Sequence, residues 1–287
     1  MTLDDECRDC LYGSQTKKAE AMDTDAGKLA LFKQKARFIC DSAPESGCAP
    51  LLCRDLNLLH GQILGKPLDY SKEKKMFNSR LLEMEDALHA SIQASEDPLK
   101  EALKYAMASN YIDYARIYNL DKGAVELVIQ AARESRVDEN VYAMFRKDLS
   151  AAKTLCYLHD NCGEIVLDKI LIRIIKEQYP ALEVTSVVRG KPVINDVTEE
   201  DARDIGLYDL ARVIGNGTDV PGTPLGEVSA ETLSVLACSD VIFSKGLGNL
   251  ETLYGEGYSA YYCFCCKCRH IAERFSIPLW SAAIVAE

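Results

Sequence analysis

The sequence lacks any uninterrupted apolar run that approaches the roughly 20 residues needed to cross a membrane as a helix. Its first nine residues are acidic and contain no apolar stretch of the kind that a secretory signal requires. Basic residues are also scarce, since 33 Lys and Arg stand against 44 Asp and Glu, a formal net charge of -11. Nucleic acids and anionic membranes are bound through clustered basic side chains, so neither is expected as a partner. We therefore expect a soluble, cytoplasmic protein.

Other signatures are missing as well. The chain contains no internal repeat, no low-complexity tract and no long linker. Gly246-Leu247-Gly248 lacks the third glycine of a dinucleotide-binding fingerprint, so a Rossmann cofactor site is poorly supported. The four histidines are scattered, and His159, beside a polar loop, is interpreted as a hydrogen-bonded residue at a strand end. What is present is enough sequence, 287 residues with 48% hydrophobic content, for one large core or two modest ones.

The first half of the chain has a helical pattern almost throughout. In residues 81–88, for example, apolar residues recur at three- and four-residue spacing among charged ones. Turn-forming or capping residues interrupt this pattern at Gly27, residues 44–47 and 65–67, Asp97-Pro98 and residues 121–123. Residues 1–149 are therefore predicted to form an all-helical subdomain of about six or seven helices.

From residue 150 onward, strand-like and helix-like segments alternate. Runs typical of strands occupy 154–159, 182–189, 212–215, 240–244, 260–264 and 281–285. Helical segments lie between them at 163–178, from Thr198 with Asp201 at capping-box spacing, and from Ser229. Strands separated by helices imply crossover connections and a mainly parallel sheet covered on both faces. We predict an α/β fold in which residues 150–287 form a three-layer α/β/α domain that follows the N-terminal helical subdomain.

Polar residues gather where three of the predicted strands end. Asp160-Asn161 follows the first strand and Asn195-Asp196 follows the second. Lys245 comes directly after the strand at 240–244. Ligands of doubly wound sheets bind at the carboxyl ends of strands. The oxygen atoms of Asp160, Asn161 and Asp196 are hard ligands of the kind that Mg²⁺ or Mn²⁺ prefers. This pattern predicts a divalent-metal site at the strand ends.

Lys245 stands between a strand and a glycine turn. Its ammonium could contact a phosphate while the backbone N–H groups of the turn cradle it. Each element also has a simpler interpretation, because an Asp-Asn pair at a helix start is more often a cap, and Asn195-Asp196 is equally a good turn. The occurrence of all three at strand ends is the stronger argument for a metal- and phosphate-binding site.

Taken together, these segments resemble the damage-control phosphatases, a family first labelled as a domain of unknown function, and in particular its stand-alone, cysteine-containing prokaryotic branch. The resemblance covers nearly the whole chain. It rests on the order and spacing of Cys7-Arg8-Asp9-Cys10-Leu11 with Gln15, Asn110-Tyr111-Ile112-Asp113, Asp160-Asn161-Cys162-Gly163-Glu164-Ile165, Val188-Arg189-Gly190, Asn195-Asp196-Val197-Thr198 with Asp201-Ala202, Asn216-Gly217, Pro221-Gly222-Thr223 and Lys245-Gly246 with Gly248-Asn249 and Glu251-Thr252-Leu253. The chain departs from the family pattern at Ser109, usually Gly, and at Cys162, commonly Ala. Neither change removes an oxygen ligand or the lysine.

The resemblance implies a phosphatase that depends on a divalent metal (Mg, Mn, Co or Ni) and hydrolyses small phosphometabolites such as sugar-phosphate-like phosphomonoesters, in metabolite damage control. Asp160, Asn161 and Asp196 would be the metal ligands and Lys245 the phosphate-binding lysine. The predicted catalytic residues are Asp160, Asp196, Lys245 and Asp113, the last for proton transfer or contact with a substrate hydroxyl. The predicted substrate-binding residues are Asn110, Arg189, Asn195, Asn216, Gly217, Gly246 and Asn249.

The twelve cysteines form a possible second site. In a chain expected to be cytoplasmic they indicate free thiols or metal ligands rather than a disulfide framework. The pairs Cys7/Cys10 and Cys265/Cys268 have spacings suited to a structural zinc site of four thiolates, with Cys263 and Cys266 as substitutes. The competing interpretation is that residues 263–268 straddle a buried strand end, where thiols fill apolar space.

Two other functions stay open. One is a carboxyl methyltransferase dependent on S-adenosylmethionine, an activity also proposed within the wider family, although the glycine-poor loop after the first strand leaves little room for that cofactor. The other is a non-catalytic metal or thiol-redox protein that uses the clusters at Cys7 and Cys265. It predicts that mutation of those cysteines alters function while changes of Asp160 do not.

Overall fold

A computed structural model of the chain describes residues 3–22, 25–110 and 124–287. Within these ranges eight helices precede the first strand: α1 (Asp5–Glu20), α2 (Ala26–Ser42), α3 (Ala49–Leu59), α4 (Ser71–Leu82), α5 (Glu85–Gln93), α6 (Pro98–Ala108), α7 (Ala124–Glu134) and α8 (Glu139–Ala151). A π-helical turn, His60–Leu64, continues α3. None of the helices described is both long and apolar enough to cross a membrane.

The second half of the chain alternates strands with helices. In chain order these are β1 (Thr154–Leu158), α9 (Glu164–Gln178), β2 (Glu183–Val188), α10 (Glu199–Asp204), a 3-10 turn (Leu207–Asp209), β3 (Arg212–Gly215), α11 (Ala230–Cys238), β4 (Val241–Lys245), α12 (Leu247–Leu253), β5 (Tyr261–Cys265), α13 (Arg269–Phe275) and β6 (Ala282–Ala286). The strands form one sheet in the order β3-β2-β1-β4-β5-β6. Strands β1 to β5 are parallel and β6 is antiparallel to β5. The predicted α/β fold with a mainly parallel sheet is confirmed.

The order in which strands are added to the sheet changes direction at β1. This strand pairs with β2 on one side and with β4 on the other, so that Leu158 lies beside both Val187 and Ser244. A crevice forms at the carboxyl ends of strands where the order reverses in this way. The loops after β1, β2 and β4, which carry the predicted metal and phosphate ligands, therefore leave the sheet at the same edge.

One predicted helical stretch is interrupted in the structure. Residues 81–88 have continuous helical spacing, but α4 ends at Leu82, and α5 begins at Glu85 after a turn at Glu83 and Met84. Leu81 and Leu88 are nevertheless both buried. A two-residue turn barely shifts the apolar period, which is why the pattern did not reveal it.

The helices of the first half belong to two different cores. Residues from α1 to α3, such as Phe32 and Leu56, form a cluster of their own, and we call residues 5–64 the α1–α3 unit. Residues from α4 to α8, such as Phe77 and Phe145, instead share a cluster with one face of the sheet. Helix α8 continues to Ala151, past the boundary predicted at residue 149, and that boundary stays a prediction.

Candidate active site

Backbone hydrogen bonds join the loops after β1 and β2. Asn161 and Asp196 form an isolated antiparallel bridge. The amide of Val197 donates to the carbonyl of Asp160, and that of Cys162 to the carbonyl of Asn195, both at 2.9 Å. Residues 35 positions apart in sequence are thereby fixed side by side, so the three predicted metal ligands come together at one point of the sheet edge.

One buried arginine connects the two carboxylates. Arg189 follows β2, and its Nε donates to Oδ2 of Asp196 at 2.6 Å, while its Nη2 lies 3.6 Å from Oδ1 of Asp160. Its Nη1 donates to the carbonyl of Gly222 and to Oδ1 of Asn249, both at 3.0 Å. Nη2 has no hydrogen-bond partner in the described part of the chain. The guanidinium reduces the repulsion between the two carboxylates and sets their orientation.

The amide of Asn161 has a defined direction. Its Nδ2 donates to Oδ2 of Asp160 at 2.7 Å and to Oε1 of Glu164 at 2.9 Å. Both hydrogens of the amide group are therefore directed at carboxylates. The amide oxygen is consequently the end of Asn161 that can act as a ligand, beside the carboxylate of Asp160.

The turn after β4 requires glycine where it passes Asp160. Gly246 has a φ of +81°, in the region that favours glycine, and a Cβ on it would lie 2.1 Å from Oδ2 of Asp160. Two residues later, a Cβ on Gly248 would lie 1.9 Å from the carbonyl oxygen of Pro221. The glycines of the Lys245-Gly246-Leu247-Gly248 segment therefore allow backbone to pack directly against the site.

A cavity of about 430 Å³ lies between this edge of the sheet and the α1–α3 unit. Its floor contains Asp160, Asn161, Asn195 and Asp196. The α1–α3 unit and the loops after β4 and β5 form its walls, with Cys7, Cys10, Cys53, Gly248, Glu251, Lys267, Cys268, Arg269 and His270 among the lining residues. Cavities of this size take small metabolites and cofactors.

Lys245 lies below this cavity, fully buried. Its ammonium donates to the carbonyl of Ala106 at 2.7 Å, to Oγ of Ser109 at 2.8 Å, to Oδ1 of Asp168 at 2.9 Å and to Oε2 of Glu164 at 3.2 Å. An ammonium has three hydrogens, so these acceptors use all of its donors. Burial alone would lower the pKa of Lys245, but the charges of Asp168 and Glu164 outweigh burial and hold the pKa above its usual range.

This environment differs from the one expected for a phosphate-binding lysine. The contacts of Lys245 join the end of α6 to α9 and to the sheet, and none of its partners is among the residues that line the cavity. The phosphate-binding role of Lys245 stays a prediction, and the geometry favours a positioning role.

The predicted substrate-binding residues fall into two groups. Asn110 and Asn195 line the cavity. Asn110 donates from its side-chain nitrogen to Glu164 and accepts at Oδ1 from the amide of Cys265 at 3.2 Å. The others, which are not among the cavity-lining residues of the described structure, support the surrounding loops: Arg189, Asn216, Gly217, Gly246 and Asn249. Asp113 lies outside the described residues.

His159 agrees with its interpretation as a hydrogen-bonded histidine. It is buried, its Nδ1 lies 3.3 Å from Oδ2 of Asp168, and its ring packs on Tyr157 at 4.6 Å between centroids. Burial lowers the pKa of His159, although the carboxylate of Asp168 opposes the shift. A buried neutral histidine of this kind belongs to the support of the site.

The cysteines predicted to bind zinc are only partly brought together. Cys7, Cys10 and Cys268 line the cavity, whereas Cys265 is buried in β5. Across the residues that the structure describes, no three Cys, His, Asp or Glu side chains are placed to hold a metal ion. Cys263 and Cys266 are buried in the two cores that flank the sheet, as expected of thiols that fill apolar space. The zinc site gains no support from this geometry and stays a prediction.

Glu251 also lines the cavity, although no role was predicted for it. It follows Leu247 by four residues in α12, a spacing that places both on one face of a helix. Burial raises the pKa of Glu251 to about 8, and the nearby charge of Cys268 adds to this effect. The helical spacing from Gly248, which touches the site, was the signal that could have identified it.

Known proteins resemble this chain over nearly its whole length. The family model described as the damage-control phosphatase ARMT1-like domain matches residues 3–279. A damage-control phosphatase of Archaeoglobus fulgidus is 25% identical over 285 residues, which are 96% of both chains. A damage-control phosphatase of Pyrococcus horikoshii is 33% identical over 178 residues, or 62% of this chain and 61% of that protein. An uncharacterized protein of Methanocaldococcus jannaschii is 28% identical over 285 residues, or 96% of this chain and 92% of the relative.

The fold has a solved counterpart. The crystal structure of a DUF89 family protein of Pyrococcus horikoshii superimposes with a TM-score of 0.85 at 24% identity, covering all of this chain and 99% of the other. The likeness includes the helices that precede the sheet as well as the sheet itself.

Proposed function

The chain belongs to the family of damage-control phosphatases with an ARMT1-like domain, and from this premise we propose that it is a divalent-metal-dependent phosphatase that hydrolyses small phosphorylated metabolites. The observation that carries the proposal is the meeting of Asp160, Asn161 and Asp196 on the floor of one cavity. These residues supply two carboxylates and one amide oxygen, and soft or imidazole donors are not part of the set. Such donors suit Mg²⁺, Mn²⁺ and similar ions, which keep several positions for water or phosphate oxygens.

The hydrogen bonds made by Asn161 and Arg189 orient the proposed ligands for a metal ion. The amide hydrogens of Asn161 are engaged, so its oxygen points away from its two carboxylate partners. The buried Arg189 donates to Asp196 and lies 3.6 Å from Asp160, and both carboxylates line the cavity in which we propose that the cation binds. When bound there, a divalent cation would neutralise phosphate oxygens and stabilise the charge that develops in phosphoryl transfer.

The remaining residues of the site bind and position. Asn110 and Asn195 both line the cavity and are proposed to contact the substrate. Lys267 and Arg269 on the cavity wall supply positive charge that favours a phosphorylated ligand. We place Lys245 among the positioning residues, because its ammonium holds α6 against α9 below the floor.

A metal-by-substrate screen tests the proposal. Metal-free protein supplied with Mg²⁺, Mn²⁺, Co²⁺ or Ni²⁺ should hydrolyse phosphomonoesters of small metabolites, and Asp160→Asn should reduce the rate by on the order of 100-fold or more. Asp204→Asn, on the exposed end of α10, is the matched control and should keep full activity. Hydrolysis that survives in Asp160→Asn, or that needs no metal, would refute the assignment. Tight calorimetric binding of S-adenosylmethionine without metal would favour the methyltransferase instead.

A further inference from the structure

Two thiols from opposite ends of the chain line the same cavity. Cys7 lies in the first turn of α1, and Cys268 lies between β5 and α13. Both are free and partly buried, and both line the site cavity and a smaller adjoining cavity that also contains Cys48 and Glu251. The two thiols therefore lie where the α1–α3 unit faces the segment that follows β5, beside the cavity.

Polar side chains next to the two thiols also lie close to each other. Oδ2 of Asp4 lies 3.4 Å from Nδ1 of His270, and Oε1 of Glu6 lies 3.9 Å from Nε of Arg269. Each contact joins the start of α1 to the start of α13, on residues within three positions of the thiols. The approach of the cysteines is thus part of an interface and does not depend on the thiols alone.

The two thiols have unequal reactivity. The Cys7 thiol donates a hydrogen bond to Cys268, which raises the pKa of Cys7 and lowers the pKa of Cys268 to about 6. The other titratable groups that face Cys268 are Cys10 on α1, Glu251 on α12 and His270 on α13. The hydrogen bond from Cys7 favours the thiolate form of Cys268, which is the nucleophilic form of a cysteine.

We propose that Cys268 and Cys7 are a redox-active thiol pair, which a peroxide converts into a disulfide that ties the α1–α3 unit to the segment after β5, beside the cavity. The Cys268 thiolate attacks one oxygen of hydrogen peroxide. An S–O bond forms, the O–O bond breaks, and the departing hydroxide takes a proton from solvent. The Cys7 sulfur then attacks the sulfenic sulfur, the S–S bond forms, the S–O bond breaks, and the oxygen leaves as water with the proton of Cys7.

The electron balance of this reaction is complete. Two thiols lose two electrons in total, and the peroxide gains them. A reducing dithiol reverses the process by thiol–disulfide exchange. Closure requires the sulfur atoms to move from hydrogen-bonding distance to about 2.05 Å, a local shift of two partly buried side chains.

Peptide mapping of the full-length protein tests the pair directly. Reduced protein is treated with hydrogen peroxide, remaining thiols are alkylated with iodoacetamide, and the protein is digested without reduction. The expected result is a linked peptide pair that contains Cys7 and Cys268 and that disappears after dithiothreitol. Cys10→Ala, one turn away on α1, should still form the link, whereas Cys7→Ala should stop at oxidised Cys268. A link between other cysteines, or none, overturns the proposal, as does zinc bound stoichiometrically through these thiols.

A second measurement compares the reactivity of Cys268 in the wild-type protein and in Cys7→Ala. The alkylation rate of Cys268, followed by mass spectrometry against pH, should have its midpoint near pH 6, and in Cys7→Ala the midpoint should move upward by more than one pH unit. An ordinary midpoint near 8.5 in the wild type contradicts the proposal. Neither measurement uses phosphate hydrolysis, so the thiol pair and the phosphatase assignment succeed or fail separately.

Discussion

At the scale of single residues, the site depends on buried charges that compensate one another. Arg189 offsets Asp160 and Asp196 at the cavity floor, and Lys245 offsets Asp168 and Glu164 below it. Because all six groups lie in or near low-dielectric surroundings, each depends on its partners for its charged form. The two sets differ in solvent exposure. The side chain of Asp160 is 13% exposed, whereas that of Lys245 is fully buried.

Replacement of Lys245 distinguishes a positioning role from phosphate binding. Lys245→Met would leave Asp168 and Glu164 buried without their cation, and we expect it to lower the free energy of unfolding by about 3–5 kcal/mol. Urea denaturation measures this, with Lys169→Met as a control on the same layer, whose ammonium is paired with Glu85 at the edge of the core. If Lys245 instead serves the substrate, the variant keeps its stability and loses affinity for phosphate.

Some residues of the site could be predicted from the sequence, and others could not. Asp160, Asn161 and Asp196 could be grouped because they follow parallel strands, whose carboxyl ends share one edge. The partners of Lys245 could not, because Asp168 reads as an ordinary polar position of an amphipathic helix, and Ser109 lies 136 residues away in the chain. Contacts of that kind depend on how helices pack on the sheet, which no local spacing encodes.

At the scale of elements, helix α10 fixes the loop that carries Asp196. Oδ2 of Asp201 accepts from the amide and the hydroxyl of Thr198 at 2.8 and 2.6 Å, as the capping-box spacing predicted. The same carboxylate lies 2.5 Å from Nζ of Lys74 on α4. Thr198 also pairs with Arg189, so the cap connects the helix start to the arginine that holds both carboxylates.

Removal of this cap should weaken both the fold and the site. Asp201→Ala loses the capping bonds and leaves Lys74 without its partner, so we expect the free energy of unfolding to fall by about 3 kcal/mol. Asp204→Ala, exposed on the same helix, should change it by less than about 0.5 kcal/mol. Thermal denaturation compares the two variants, and equal melting temperatures would show that the cap contributes nothing.

Strands were easier to predict than helix boundaries. The segment 212–215 is the observed β3, and the other predicted strands shift by only a residue or two, because β-branched and aromatic runs between turns mark buried strands clearly. The turn between α4 and α5 contains neither glycine nor proline, only Glu83 and Met84. Its position is set by packing on α9 and the sheet, information that is not contained in the local sequence.

At the scale of the whole molecule, the cavity exists because the α1–α3 unit has its own core yet touches the sheet at its carboxyl edge. Leu56 and Phe32 pack within the unit, while Cys53 on α3 lines the cavity opposite Asp160. This placement could not be predicted, since nothing in the sequence of the unit indicates which edge of the sheet it covers.

We expect the free energy of unfolding to depend on pH through Glu251, which lines the cavity. Its pKa is about 8 in the folded protein against an ordinary value of 4.5, so the folded state holds an extra proton between these values. Stability from Glu251 is therefore complete below pH 4.5 and is lost as the pH rises towards 8. Between pH 4.5 and 6, below the pKa of Cys268, Glu251→Gln should remove a downward slope of at most about 1.4 kcal/mol per pH unit.

Urea denaturation across this range measures the slope. Glu256→Gln, an exposed neighbour, provides the control and should keep the wild-type profile. Identical slopes in the wild type and Glu251→Gln would contradict the inference that Glu251 is buried and protonated at the cavity wall.

Electron paramagnetic resonance of Mn²⁺ added to metal-free protein tests the claim that Asp160, Asn161 and Asp196 form a divalent-metal site. The wild type and Asp204→Asn should each bind one Mn²⁺ ion that other divalent ions displace. Asp160→Asn keeps the size of the side chain but replaces one carboxylate oxygen with an amide nitrogen and removes one charge, and it should weaken binding by on the order of 10-fold or more, about 1.4 kcal/mol. Equal affinity of Asp160→Asn and the wild type for Mn²⁺ would contradict the claim.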